Sequence, residues 1–190
     1  QLNKYETTAV ALDFVMAEPD RTSLPELAET IEGLSREVKE SIKRLPTNDS
    51  IIAIAIKNHG RVIVGEAPFN QPKEYDGKKL KTSFVVRGKK PEIWTEKQVS
   101  LIRNIPAITE AAKGRGIFGV SQERVDGIVR RISLIISNNI GLAPSLVLET
   151  LKVAYGAKSI VLIVDEQTGI QKVALQVLRP KRMNISVPTD

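Results

Sequence analysis

A glycine-rich stretch is the part of this sequence whose residue types and spacing most suggest a binding site. It reads Gly114-Arg115-Gly116-Ile117-Phe118-Gly119, and Ser121 after it can cap a helix. Backbone amides at a helix N-terminus, with the nearby Lys113 and Arg115, can hold an anion. The stretch lacks the Gly-Lys-Ser/Thr ending of a Walker loop, and it does not follow a predicted strand as a dinucleotide fingerprint does. Two interpretations stay open, an anion site and a flexible connection between helices.

Basic residues extend this candidate site. Residues 57–90 hold 9 Lys and Arg against 3 Asp and Glu, a net of +6, whereas residues 1–56 hold 6 against 10, a net of −4. Aromatic residues are 4% of the chain, so contacts would be with phosphates rather than stacked bases. The predicted polyanion-binding residues are Lys73, Lys78, Lys79, Lys81, Lys89, Lys90, Lys113, Arg115, Arg124, Arg130 and Arg131.

Residues suited to catalysis or metal ligation are few. The chain has no cysteine and one histidine, His59, which is predicted at the exposed tip of a turn. Asp165 and Glu166 are adjacent in another predicted turn, where their side chains point apart, and Asp13 lies on a predicted strand without an evident partner. The sequence therefore predicts that the protein is not an enzyme, with no catalytic residue, no cofactor and no metal site.

Helical periodicity predicts the elements that would position the basic residues. Ser23 and Glu26 form a capping box ahead of apolar residues at helical spacing. Arg124, Arg130 and Arg131 would lie on the exposed face of a later helix, which resembles only the second half of a helix-turn-helix. The predicted helices are 24–44, one that begins at 95, a short one from Pro106 to Gly114, 121–137 and 144–154.

Two predicted hairpins supply the sheet. Residues 50–65 contain apolar runs around Asn58-His59-Gly60, and residues 160–178 contain apolar runs around a turn that ends at Gly169. Strands are also predicted over 5–16 and 82–87. The predicted fold class is α+β, a mostly antiparallel sheet built from two hairpins with amphipathic helices packed on it.

Domain organisation follows from chain length. At 190 residues the chain fits a single α+β domain over 1–178, with two lobes, 1–90 and 91–178, as the alternative. Residues 179–190 form a predicted basic C-terminal tail.

The predicted function is binding without catalysis. The absence of cysteine and of any long apolar run favours a cytoplasmic protein with no membrane span. The basic loop and helix face favour nucleic acid or another polyanion as the partner. The alternative is a structural or adaptor subunit whose apolar helix and hairpin surfaces form a homo-oligomer or dock a protein partner, such as an acidic protein.

Overall fold

Helices and short strands are interspersed along the chain, and the fold class is α+β, as the sequence predicts. The structure is a computed structural model that describes residues 6–71, 82–119, 122–125 and 128–177, with only the backbone described for 122–125 and 128–130. The helices are α1 (Leu24–Leu27), α2 (Arg36–Lys43), α3 (Asn48–His59), α4 (Pro106–Ala111) and α5 (Leu146–Ala154). The strands are β1 (Val10–Leu12), β2 (Val62–Phe69), β3 (Phe84–Arg87), β4 (Glu96–Lys97), β5 (Ser100–Ile102), β6 (Gly114–Ile117), β7 (Gln122–Val125), β8 (Ile128–Ile132), β9 (Ile135–Asn138), β10 (Gly141–Pro144), β11 (Ala157–Asp165) and β12 (Gly169–Val177).

Strand β2 is the centre of the sheet that carries the candidate site. β1 and β6 pair with it in parallel, and its far half pairs with β5 antiparallel. Because successive side chains of a strand point to opposite faces, Val62 and Val64 join the core formed with α3 and α4, whereas Ile63 joins the core beneath α5. Burial on both faces explains why this strand begins with a continuous apolar run.

The remaining strands form smaller sheets. β11 and β12 make an antiparallel hairpin, and β3 lies parallel to β11 on its other side. β9 pairs antiparallel with β10 and parallel with β4, while β7 pairs antiparallel with β8. Parallel and antiparallel pairs therefore occur together, where the sequence predicted a mostly antiparallel sheet.

The two halves of the chain share sheets, since β2 pairs with β6 and β3 pairs with β11. The predicted division into one domain or two lobes stays a prediction. The predicted tail, residues 179–190, lies outside the described residues.

The hairpin predicted over 160–178 is confirmed. Asp165 holds its turn by accepting hydrogen bonds from the hydroxyl of Thr168 and from the backbone amides of Gln167 and Thr168. These bonds, that of the Thr168 side chain above all, lower the pKa of the Asp165 carboxyl. The buried side chains of the hairpin, among them Ile160, Leu162 and Leu175, form a core with Leu148 of α5.

The hairpin predicted over 50–65 is wrong. The segment contains residues 50–59 of helix α3, followed by the start of β2. Thr47 caps α3 by accepting from the amide of Ser50, and Gly60, with φ +73°, ends it. A left-handed glycine serves a helix C-terminus as well as a hairpin turn, so the local pattern Asn58-His59-Gly60 could not separate the two.

The predicted helix over 24–44 is two helices. Gly33, with φ +78°, lies between them, and Ser35 caps α2 by accepting from the amide of Val38. The predicted capping role of Ser23 is wrong, because its side chain makes no cap bond to α1.

Two further predicted helices are strands. The helix predicted from 95 is β4 and β5, which follow a 3-10 turn over Pro91–Trp94. The helix predicted over 121–137 is β7, β8 and most of β9. This second segment is rich in Val and Ile, which are enriched in strands, and their spacing also matched a helical period. The predicted helices from Pro106 and over 144–154 are confirmed as α4 and α5, and the predicted strand over 82–87 is confirmed as β3.

Ser23 has a different role, since it joins the loop before α1 to the start of α3. Its hydroxyl donates to Asp20 Oδ2 at 2.5 Å and accepts from the amide of Asn48 at 2.9 Å, and the residue is 2% exposed. Together with bonds from Thr22, these contacts hold the pKa of the Asp20 carboxyl well below its ordinary range.

Glycines let α5 lie unusually close to β6. A Cβ on Gly116 would come within 2.5 Å of Leu146 Cα and 2.9 Å of the Ser145 carbonyl oxygen, and a Cβ on Gly114 would overlap the Glu149 carboxyl group. Neither glycine has a positive φ, so the close approach, and not a turn, requires them. The predicted glycine-rich loop is therefore a strand against which a helix packs.

We predict that Ser23→Ala lowers the free energy of unfolding by about 1–3 kcal/mol, because it leaves the partly buried amide of Asn48 without a partner and removes one of the two hydrogen bonds to Asp20 Oδ2. Urea unfolding measures the loss. Ser35→Ala is the control, since Ser35 is an exposed cap and its loss costs about 1 kcal/mol. Equal losses for the two variants would contradict the bridging role of Ser23.

We also predict that Gly116→Ala costs about 2 kcal/mol or more, because the added methyl group meets backbone atoms of α5 that can move only with the helix. Gly33→Ala is the control for backbone strain alone: its φ is +78°, nothing lies near its Cβ, and we expect about 1 kcal/mol. Methyl resonances of Leu146 and Leu151 should shift in Gly116→Ala and stay in place in Gly33→Ala. Unmoved resonances in both would refute the close packing.

Candidate functional site

A cavity lies beside the carboxyl ends of β1 and β6, against one face of α5. Its volume is about 400 Å³, within the range of small-molecule pockets. Parallel strands commonly present ligand sites beyond their carboxyl ends. The residues that line it come from β1 and the residue after it, from the end of β6 and the two residues after it, from β8, and from α5 with its capping residue: Ala11, Asp13, Ile117, Phe118, Gly119, Ile132, Ser145, Leu146, Val147, Thr150 and Leu151.

Helix α5 forms the longest wall of the cavity and is fixed by a buried ion pair on its other face. Lys152 Nζ donates to Glu149 Oε1 at 2.6 Å, and the Thr82 hydroxyl donates to Glu149 Oε2 at 2.6 Å. Lys152 also donates to the Thr82 hydroxyl at 3.2 Å. Glu149 is fully buried and Lys152 is 8% exposed, so breaking this pair would leave an uncompensated charge in the protein. The cavity wall is therefore held in one position.

The ring of Phe118 forms a second wall. Its backbone amide donates to the Glu66 carbonyl at 3.0 Å, which extends the β2–β6 pairing by one residue. A Cβ on Gly65 would lie 2.5 Å from Phe118 Cε1, so the absence of a side chain there gives the ring its place. The wall depends on a glycine of the neighbouring strand, which no local pattern around Phe118 reveals.

The polar groups of the cavity are mainly hydrogen-bond acceptors. Asp13 is the one ionisable residue in the described lining, and no hydrogen bond or ion pair joins it to another described residue. The Thr150 hydroxyl donates a hydrogen bond to the Leu146 carbonyl at 2.6 Å, so its oxygen can still accept a hydrogen bond from a ligand. The Ser145 side chain caps α5 by accepting from the Leu148 amide. An apolar cavity with a carboxylate at its edge results.

On the opposite face of the central sheet, Arg115 is buried instead of exposed to a ligand. It is 3% exposed, and its Nη1 lies 3.2 Å from Glu66 Oε1, while Arg103 Nε lies 3.8 Å from Glu66 Oε2. Beside them, Asn104 Nδ2 donates to the Gly65 carbonyl and its Oδ1 accepts from the Met16 amide. These contacts join β2 to β6 and to the segment that follows β1, and they leave no role for Arg115 in an open anion site.

The other residues predicted to bind a polyanion are not gathered at one place by the described structure. Lys89 pairs with Glu166 at 3.1 Å, and Lys90 and Lys113 are exposed on separate loops. Arg131 is exposed on β8, opposite Glu123 in the strand register. Arg124 and Arg130 lie on strands instead of a helix, and only their backbone is described. Outside the described residues are Lys73, Lys78, Lys79 and Lys81.

A second, more open groove of about 830 Å³ lies at the start of α3. Its carboxylates already hold the local chain together. Asp20 accepts from Thr22, Ser23 and Asn48, and Asp49 accepts from the Asp20 amide. Within the described residues no cluster of acidic or histidine side chains is arranged to hold a metal ion. The groove is thus less suited to a ligand than the cavity beside α5.

His59 is the last residue of α3 and not the tip of a hairpin. Its Nδ1 accepts from the Arg61 amide at 3.3 Å, so its Nε2 carries the proton that is donated to the Thr7 hydroxyl at 2.9 Å. Both bonds connect the end of the helix to neighbouring chain segments. Asp165 and Glu166 lie in the exposed turn of the second hairpin, as predicted.

Sequence reasoning noted Asp13 but missed the rest of the cavity. Leu146, Thr150 and Leu151 follow the helical spacing of any buried helix face, and Phe118 sits inside the glycine stretch that suggested an anion site. A local signal did exist for α5 itself, since Ser145 after a proline predicts a helix start. That signal locates the helix and does not show that its outer face borders a cavity.

Comparison with known proteins gives a family and no individual relative. No curated protein and no solved structure matches the chain. Residues 1–189 match the family model of the CHASE2 domain, a sensory, ligand-binding domain of signalling proteins. The predictions of a nucleic-acid-binding protein and of an adaptor subunit are therefore wrong. No helix among the described residues has the length and apolar character needed to cross a membrane. With its family model matched over nearly the whole length, the chain belongs to the CHASE2 domain family.

Proposed function

We propose that this domain senses a small, largely apolar molecule by binding it in the cavity beside α5. The observation that carries the proposal is the cavity itself, about 400 Å³ in volume and bordered by Ile117, Phe118, Leu146 and Leu151. Transfer of apolar ligand surface from water to such walls is favourable by about 25 cal/mol per Å². A sensory family role and a cavity of this size support the same conclusion.

We propose further that the domain binds its ligand without transforming it. A hydroxyl nucleophile needs an adjacent base, and the two hydroxyls in the described lining bond elsewhere. Ser145 accepts from a backbone amide and Thr150 donates to a backbone carbonyl. These bonds position α5 and prepare neither oxygen for attack.

The position of α5 suits a sensor. Its outer face borders the cavity, and its inner face is tied through Glu149 and Lys152 to Thr82, which leads directly into β3. A ligand that presses on Val147 or Leu151 therefore acts on a helix connected to the sheet of β3, β11 and β12.

The cavity predicts that a neutral aromatic probe, 2-phenylethanol, binds the isolated domain. Methyl resonances of Leu146, Val147 and Leu151 should shift on titration. Val147→Trp should abolish these shifts, because residue 147 borders the cavity and is 50% exposed, so that an indole can fill the space with little damage to the core.

Val38→Trp is the matched control, since Val38 is also an exposed helical valine, 44% accessible, but lies on α2 away from the cavity. It should bind the probe as the unmodified domain does. Shifts that survive Val147→Trp, or none in the unmodified domain, would reject the cavity as the ligand site.

We propose that the domain lies outside the cytoplasm, in place of the cytoplasmic setting predicted from composition. The support is that CHASE2 domains are usually extracellular or periplasmic. Because the chain has no cysteine, a single Glu32→Cys at an exposed position gives one reactive thiol within it. A membrane-impermeant maleimide applied to intact cells should label the peptide that contains residue 32.

Ala28→Cys is the control for access, because Ala28 is 0% exposed and should stay unlabelled until the protein is unfolded. Labelling of residue 32 only after the cells are lysed would contradict an extracytoplasmic position.

A further inference from the structure

The cavity volume limits the size of the ligand, and the side chains that border the cavity also indicate its charge. This inference rests on the proposed function and concerns the charge of the molecule that binds. Of the residues that border the cavity in the described structure, Asp13 alone carries a charge, and its side chain is exposed at the cavity edge with no hydrogen bond or ion pair to another described residue. The carboxylate is thus available to a ligand.

Asp13 is placed there by the alternation of β1. Val10 and Leu12 belong to the core under α3 and α4, whereas Ala11 and Asp13 point to the side of α5 and border the cavity. A ligand that enters therefore covers part of the Asp13 carboxylate and removes water from it. Removing that water is unfavourable unless the ligand supplies a positive charge or a hydrogen-bond donor.

Two further groups favour the same ligand. Thr150 has donated its proton to the Leu146 carbonyl and can only accept from a ligand in this geometry. The ring of Phe118 borders the cavity, and the face of an aromatic ring attracts a cation within about 6 Å. Carboxylate, hydroxyl lone pair and ring face are all complementary to an ammonium group.

The start of α5 does not reverse this preference. The positive end of a helix dipole favours anions, but the Glu149 amide in the first turn is occupied, since it donates to the Ser145 carbonyl at 3.0 Å. The amide of Leu148 is also occupied, since it donates to Ser145 Oγ at 3.2 Å. An anionic ligand would meet the Asp13 charge and find no basic side chain in the described lining.

We propose that the ligand is an organic cation, an amine with a compact apolar body, whose ammonium group pairs with Asp13 while the body fills the space between Phe118 and α5. The overall charge of the chain, +6, does not suggest this, because the local charge of the cavity is opposite in sign.

The test compares three probes of nearly equal shape at neutral pH: 2-phenylethylamine, 2-phenylethanol and phenylacetate. Affinities are measured from the same methyl resonances of Leu146, Val147 and Leu151. The amine should bind at least about fivefold tighter than the alcohol, and phenylacetate should bind most weakly. Asp13→Asn should remove the advantage of the amine, while the alcohol should still bind, because the introduced amide oxygen can accept from its hydroxyl group. Binding of the alcohol also shows that the variant keeps its cavity.

Glu32→Gln removes an exposed carboxylate outside the cavity and should keep the full preference for the amine. Equal binding of amine and alcohol, tighter binding of phenylacetate, or an amine preference that survives Asp13→Asn would each overturn the organic-cation assignment while leaving the cavity as the ligand site. If none of the three probes shifts these resonances, the cavity itself is rejected and the assignment falls with it.

Discussion

The close approach of α5 to β6 is the constraint on which the rest of the structure depends. Gly114 and Gly116 have no side chain where the helix crosses the strand, so the backbone of α5 meets Gly116 and the carboxyl group of Glu149 meets Gly114. This contact brings Glu149 against the sheet and sets the outer face of α5 beside the ends of β1 and β6. The buried core under the helix and the cavity beyond it are two results of one packing arrangement.

Buried charges secure this arrangement on both faces of the central sheet. Glu149 and Lys152 lie on the side of α5, and Glu66 with Arg115 lies on the opposite face. A buried ion pair adds little net stability over an apolar pair, but loss of one partner typically costs about 3–5 kcal/mol. Such pairs therefore favour one position of the helix relative to the strands. A preformed cavity depends on this, because its walls belong to both.

The cavity and the β3–β11–β12 sheet share α5 as a common element. Leu151 borders the cavity region and packs against the core of that sheet, while Thr82 connects the buried ion pair to β3. The chain belongs to the CHASE2 family of sensory domains, and α5 is the element through which we propose that ligand binding reaches the sheet of β3, β11 and β12. The basic composition of the chain is by comparison uninformative, since the one charged group in the described lining of the cavity, Asp13, is acidic.

The sequence by itself determined the α+β class, the hairpin closed by Asp165, and the helices α4 and α5, because capping residues, prolines and turn chemistry act within a few residues of where they stand. Only tertiary structure decided between helix C-terminus and hairpin at Gly60, and between helix and strand over 121–137, since left-handed glycines and Ile/Val spacing fit both alternatives. Tertiary structure also decided that the glycine stretch is a strand packed against a helix and not a loop. Gly116 looks locally like part of a flexible loop, and its requirement arises from Leu146, which is 30 residues away in the chain and 2.5 Å from where its Cβ would be.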